Sequence, residues 1–177
     1  MGSDKVGRAK VWLVGEGERM PLIAERLFQR ETVQGVDRLV VSAESGWCDL
    51  ALKLVAVSGS SFSCLYEERD TEAESRHESH PMSLPRLSQL VDQYREFLES
   101  DPRHNFWLYN HDTQRQVVLD EHNHLFVYGD LEAAIELLTE DGFRAGLVEL
   151  PTPHVHLYSE SGSSDEMALI AELRTTR

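Results

Sequence analysis

The stretch covering residues 106–143, FWLYNHDTQRQVVLDEHNHLFVYGDLEAAIELLTEDGF, constrains the fold more tightly than any other part of the chain. Its runs FWLYN (106–110), QVVLD (116–120) and HLFVY (124–128) are rich in β-branched and aromatic residues and are separated by short polar segments. They read as a three-strand antiparallel meander with turns at Asp112-Thr113-Gln114 and Glu121-His122-Asn123. That register sets Gln116 opposite Tyr128, Val118 opposite Phe126, and Asp120 opposite His124. Asp130 then caps a helix whose inner face is Leu131, Ala134, Ile135 and Leu138, and Gly142 ends it with Phe143 folding back.

Other segments add elements around this unit. KVWLV (10–14) reads as a strand, and Pro21 opens an expected helix with Met20, Ile23, Ala24, Leu27 and Phe28 on one face. RLVVSA (38–43) reads as the next strand. DLALKLVAV (49–57) and FSCLYE (62–67) flank Ser58-Gly59-Ser60-Ser61 and predict a hairpin, although Ala, Leu and Lys leave helix open for the first run. Residues 69–82 are strongly charged and predict a solvated, mobile loop, as residues 1–9 predict a flexible leader. Residues 83–100 form a helical stripe of Leu87, Leu90, Val91, Tyr94, Phe97 and Leu98, with Ser83 as cap and Pro85 in the first turn. HVHLY (154–158) is a last strand, and a capping box from Ser163 to Glu166 starts a terminal helix facing inward through Met167, Ile170, Ala171 and Leu173. The expected fold is one α+β domain over residues 1–177, a mostly antiparallel sheet (hairpin plus meander) packed by about four helices.

A net charge of −14 without a clustered basic patch argues against nucleic acid and anionic membranes as partners, and favours a basic protein. No apolar run reaches membrane-spanning length, and residues 1–10 lack the apolar core of a secretory signal, which predicts a soluble cytoplasmic protein. Cys48 and Cys64 are then expected as reduced, buried thiols.

The residues with chemical potential are histidines. His122/His124 at the second meander turn and His154/His156 on the final strand each spell H-x-H. Residues two apart on a strand point the same way, so convergence of the pairs would build a site for a divalent metal such as zinc. Asp120 would add a carboxylate, and Glu121 or Glu149 a base. The pattern also fits the polar face of a strand whose Val155 and Leu157 point inward. Familiar H-x-H families differ at specific residues. A histidine-triad hydrolase has a third histidine where Tyr158 stands; cupins need a glycine before the pair and a glutamate after it, which Gln116 and the run Leu125 to Tyr128 do not supply around His122/His124, and metallo-β-lactamase-like hydrolases need an Asp-His that follows neither pair. His77 and His80 lie in the charged loop. Gly15-Glu16-Gly17 between a strand and an expected helix, with Glu44 ending the next strand, resembles a dinucleotide-binding turn, but GEGERMP lacks its third glycine and places acids beside the phosphates. No G-x-S-x-G elbow marks a nucleophile.

The sequence therefore leads to a non-catalytic interaction module, of inhibitor or immunity type, that meets a basic protein through its acidic surface and the aromatics Trp107, Tyr109 and Tyr128. The alternative is a small metal-dependent hydrolase using His122, His124, His154 and His156.

Overall fold

The computed structural model describes residues 10–14, 19–21, 24–69, 75–150, 152–158 and 160–175. Two antiparallel systems make up the sheet structure. The larger has eight strands: β3 (Leu27–Val33), β4 (Val36–Ser42), β5 (Phe62–Glu68), β6 (Arg76–Glu78), β7 (His104–Asn110), β8 (Gln116–Leu119), β9 (Leu125–Tyr128) and β10 (Arg144–Ala145). They lie in the order β10-β3-β4-β9-β8-β7-β5-β6, and only the β10–β3 pair is parallel. The smaller has three strands, β1 (Val11–Val14), β2 (Arg19–Pro21) and β11 (His154–His156), in the order β11-β1-β2. The helices among the described residues are α1 (Trp47–Val55), α2 (Leu84–Gln93), α3 (Arg95–Ser100), α4 (Leu131–Glu140) and α5 (Gly162–Thr175), in line with the about four expected. The fold is an α+β single domain, and no helix among the described residues is long and apolar enough to cross a membrane.

The meander forms in the expected register, with Gln116 opposite Tyr128, Val118 opposite Phe126, and the Asp120 N–H donating to the His124 carbonyl at 3.0 Å. Alternation then sorts its side chains. Phe106, Leu108, Val117, Leu119, Leu125 and Val127 enter the core with the apolar faces of the helices, whereas Trp107, Tyr109, Val118, Phe126 and Tyr128 share the other face. Asp130 caps α4 by accepting from the Ala133 N–H at 3.2 Å, Gly142 takes a positive φ of 81°, and Phe143 is buried against the helix end. Cys48 and Cys64 are free and buried, and burial pushes both thiols well above their usual range.

Several elements depart from the sequence expectation. The helix expected after Pro21 is a strand: residues 27–33 pair with residues 36–42 around a two-residue turn at Gln34 and Gly35, both with positive φ. A strand–glycine–helix nucleotide unit is thereby ruled out, and Gly15, Glu16 and Gly17 lie outside the described residues. The strand expected over residues 49–57 is α1, whose buried Trp47, Cys48, Leu50, Ala51, Leu54 and Val55 follow helical spacing. β5 consequently pairs with β6 and β7, not in a hairpin with residues 49–57. The charged segment 69–82 is structured where it is described beyond Arg69: Arg76, His77 and Glu78 pair with β5, Ser79 is buried, and Met82 bridges to Phe62. The Glu67–Arg76 ion pair and a hydrogen bond between Glu68 and His77 hold this edge, where β6 itself has no apolar residue. Residues 1–9, expected as flexible, lie outside the described residues. The long helix over 83–100 breaks at Tyr94 into α2 and α3, and Ser83 stands at its N-terminus without a side-chain cap bond. In α5 the buried apolar side chains are Leu169 and Leu173, four apart, while Met167 is 66% exposed.

Candidate metal centre

The β8–β9 connection begins with Asp120, whose carboxylate organises the turn. One oxygen, Oδ1, accepts the backbone N–H groups of His122 at 2.9 Å and His124 at 2.7 Å. The Asn123 N–H closes back on the Asp120 carbonyl at 3.2 Å, and Asn123 itself takes φ 61°, a left-handed conformation asparagine tolerates. The Asn123 side chain donates to the Glu99 carbonyl at 2.9 Å and so ties the turn to α3. An Asp at the first turn position and an Asn at the left-handed one thus fix where His122 sits.

The other side of the centre comes from the small sheet. His154 and His156 lie opposite Leu13 and Val11, so all four side chains share a face, with Trp12 and Val155 on the reverse. That face meets the Asp120 turn. The three rings of His122, His154 and His156 form a near-equilateral triangle, with centroids 5.4, 5.0 and 5.4 Å apart. Each offers a nitrogen within 4.8 Å of the others. The ring planes cross at 83°, 52° and 82°, which is not the geometry of a stack.

A tetrahedral zinc gives a scale for this triangle. With Zn–N near 2.0–2.1 Å, ring centroids sit about 3.2 Å from the ion and about 5.2 Å from one another. The observed separations bracket that value. Two further features agree with ligation. The Nδ1 of His156 is buried without a hydrogen-bond partner. The Nδ1 of His122 is 3.1 Å from Asp120 Oδ2, which leaves Nε2 as the nitrogen available to a metal and gives the ring the carboxylate support usual for metal-bound histidines.

The electrostatics differ between two of the ligands: the surroundings favour the neutral form of His156 and the charged form of His122, beside a charged Asp120 carboxylate. Burial pushes His156 below the usual histidine pKa, reinforced by His122. At His122 burial also acts downward, but the Asp120 hydrogen bond and charge outweigh it and the net shift is upward. Burial raises the Asp120 carboxyl, yet its bond to His122 and the neighbouring histidines hold it below its ordinary value. Lys10 completes the surroundings: its Nζ is fully buried and donates to the Asp120 carbonyl at 3.0 Å, and burial lowers its pKa to about 8 against the attraction of Asp120, Asp101 and Glu99.

The structure therefore brings together three of the four histidines. His124 is turned into a crevice with Lys10, Val11 and Trp47, its ring centroid 6.1 Å from that of His122, and burial lowers its pKa. Asp120 acts on His122 and the turn backbone rather than joining the ligand triangle. Glu121 lies close enough to bear on the charge of both His122 and His156, and it faces Arg69 at 3.6 Å. No such coupling to these histidines appears for Glu149. His77 belongs to β6, where it meets Glu68 at 2.8 Å and Tyr66. Lys10, which the sequence places at the start of the first strand, proves central, and nothing in the local pattern distinguishes it from a solvated lysine.

The aromatics Trp107, Tyr109 and Tyr128 lie together on the sheet face turned away from the core, all half-buried. Trp107 Nε1 donates to Glu67 at 3.3 Å, Tyr128 accepts from Arg38 at 3.1 Å, and Tyr109 meets His111 edge-on. No family model, curated protein or solved structure matches the chain.

Proposed function

We propose that the protein binds a divalent transition metal, zinc in the first instance, through His122, His154 and His156, and that this centre serves metal-dependent hydrolysis. The near-equilateral imidazole triangle at zinc-ligand dimensions carries the reading. Three imidazoles are the ligand set of open zinc centres, in which the ion keeps a position for water or substrate and brings the pKa of bound water toward neutrality. This chain's own contributions are orientation and charge. Asp120 fixes the His122 tautomer, Lys10 anchors the Asp120 carbonyl, and Glu121 is the nearby carboxylate available as base. Elemental analysis of untagged protein after zinc loading and gel filtration tests the binding. One zinc per chain is expected, falling to background in a His154→Ala/His156→Ala variant that remains folded. Substoichiometric metal unchanged by the substitutions refutes the site.

A second reading, a binding module for a basic protein, is favoured by the grouping of Trp107, Tyr109 and Tyr128 on one sheet face together with the net charge of −14. Capture of a basic partner that weakens with salt and with Tyr109→Ala supports it, and salt-independent capture counts against it.

A further inference from the structure

The small sheet has a second face. Trp12 and Val155 point away from the histidines, and a cavity of about 670 Å³ lies between Trp12 of β1, Leu157 and Tyr158 just after β11, and α2, α3 and α5. Its volume falls within the range of small-molecule sites. Four aromatic rings line it, those of Trp12, Tyr94, Phe97 and Tyr158, together with the carboxylates of Glu96 and Asp165, and among the described residues no lysine or arginine does.

The two carboxylates stand apart from their neighbours. Around them Asp92 and Glu99 pair with Arg95, Asp101 and Glu166 with Arg103, and Glu172 with Arg86. Glu96 and Asp165 enter no ion pair among the described residues, and both face the cavity. Aromatic faces carry negative potential, and a carboxylate beside them adds to it, so such a lining attracts a desolvated organic cation and repels an anion. One ring already shows this preference: the guanidinium of Arg103, held by Asp101, lies 5.7 Å from the Tyr158 centroid.

We propose that this cavity binds a small organic monocation, an alkylated ammonium carried on an apolar body. The rings enclose the alkyl groups, and Glu96 and Asp165 supply the countercharge. The site is independent of the metal centre, because Trp12 points away from the histidines.

Isothermal titration of the full chain at low salt, with a metal chelator present throughout, tests the assignment. Benzyltrimethylammonium probes the size of the cavity. Choline and its uncharged carbon analogue 3,3-dimethylbutan-1-ol isolate the role of charge. Saturable binding of both cations, no detectable binding of the alcohol, and at least about a tenfold weakening in Glu96→Gln/Asp165→Asn are expected. Glu96→Gln alone, a change at an exposed position, should give a smaller loss in the same direction. The proposal is overturned if neither cation saturates, if the alcohol binds as well as choline, if the double variant binds unchanged while melting like the parent, or if only lysine- or arginine-containing peptides bind.

Discussion

Asp120 shows how much one side chain can decide. Its carboxylate holds two backbone N–H groups and one imidazole, and its carbonyl receives the buried Lys10 ammonium. Asp120→Asn retains an acceptor for the turn but weakens the hold on His122, so zinc affinity should fall by about 10- to 100-fold while the unfolding midpoint changes little. Competition with a zinc-binding dye measures the first and urea titration the second; unchanged affinity would remove Asp120 from the centre. His104 gives a separate residue-scale prediction. It is fully buried between Phe97, 4.9 Å away, and Tyr66, 5.1 Å away. Burial, together with the cations Lys10 and Arg103, pushes its pKa well below 6.5, against a smaller pull from the Leu98 backbone. Below pH 6.5 the unfolded chain takes up a proton that the folded chain refuses, so stability falls as pH drops, by at most about 1.4 kcal/mol per pH unit from this group. His104→Phe keeps the aromatic packing and should remove about 1 kcal/mol of the stability difference between pH 6.5 and 5.5. An unaltered pH slope in urea unfolding of that variant would refute the assignment. At this scale the sequence was partly legible: the H-x-H pairs announce themselves, whereas Lys10 is buried against Asp120, 110 residues away, and His104 between Phe97 of α3 and Tyr66 of β5.

Among the elements, the meander and α4 were readable because their signals are local: alternation, an Asp cap, and a glycine at the helix end. The first third of the chain misled because its apolar residues serve two different sheets. Met20 lies on β2 and Phe28 on β3, so their spacing of three and four has no helix behind it. α1 misled in the opposite sense, since a run of alternating leucines also satisfies a helix when both its neighbours and the sheet bury it. The β3–β4 turn offers a test of the corrected assignment. Gln34 and Gly35 have φ of 53° and 81°, the two-residue hairpin turn that prefers Asn-Gly. Gln34→Asn should stabilise the protein by about 0.5 kcal/mol, because asparagine accepts a left-handed backbone more readily. Gly35→Ala should destabilise it by about 1 kcal/mol through backbone strain alone, as open space surrounds the position. Opposite signs in urea unfolding are the outcome expected of a hairpin. A helix through these residues would instead be strengthened by Gly35→Ala.

For the molecule as a whole, the proposed centre sits where the two sheets meet. His122 belongs to the turn between two strands of the large sheet, and His154 and His156 to an edge strand of the small one. These segments are joined only through a long intervening stretch of chain, and no local pattern could have shown that they meet. The buried Lys10–Asp120 bond crosses the same junction. A metal held by both sheets therefore acts as a clamp, stabilising the folded state by its binding free energy and above all the docking of β1 and β11. At free zinc 100-fold above its dissociation constant the gain is about 2.7 kcal/mol, which for a chain of this size raises the melting temperature by roughly 5–10 °C. The rise should vanish with chelator and in the His154→Ala/His156→Ala variant. Hydrogen exchange locates the effect. Zinc should slow exchange in β1, β11 and the Asp120–His124 turn, and leave the two edge strands of the large sheet, β10 and β6, almost unchanged. Equal slowing throughout would mean that zinc only shifts global unfolding, and no slowing at β11 would mean that His154 and His156 do not hold the metal.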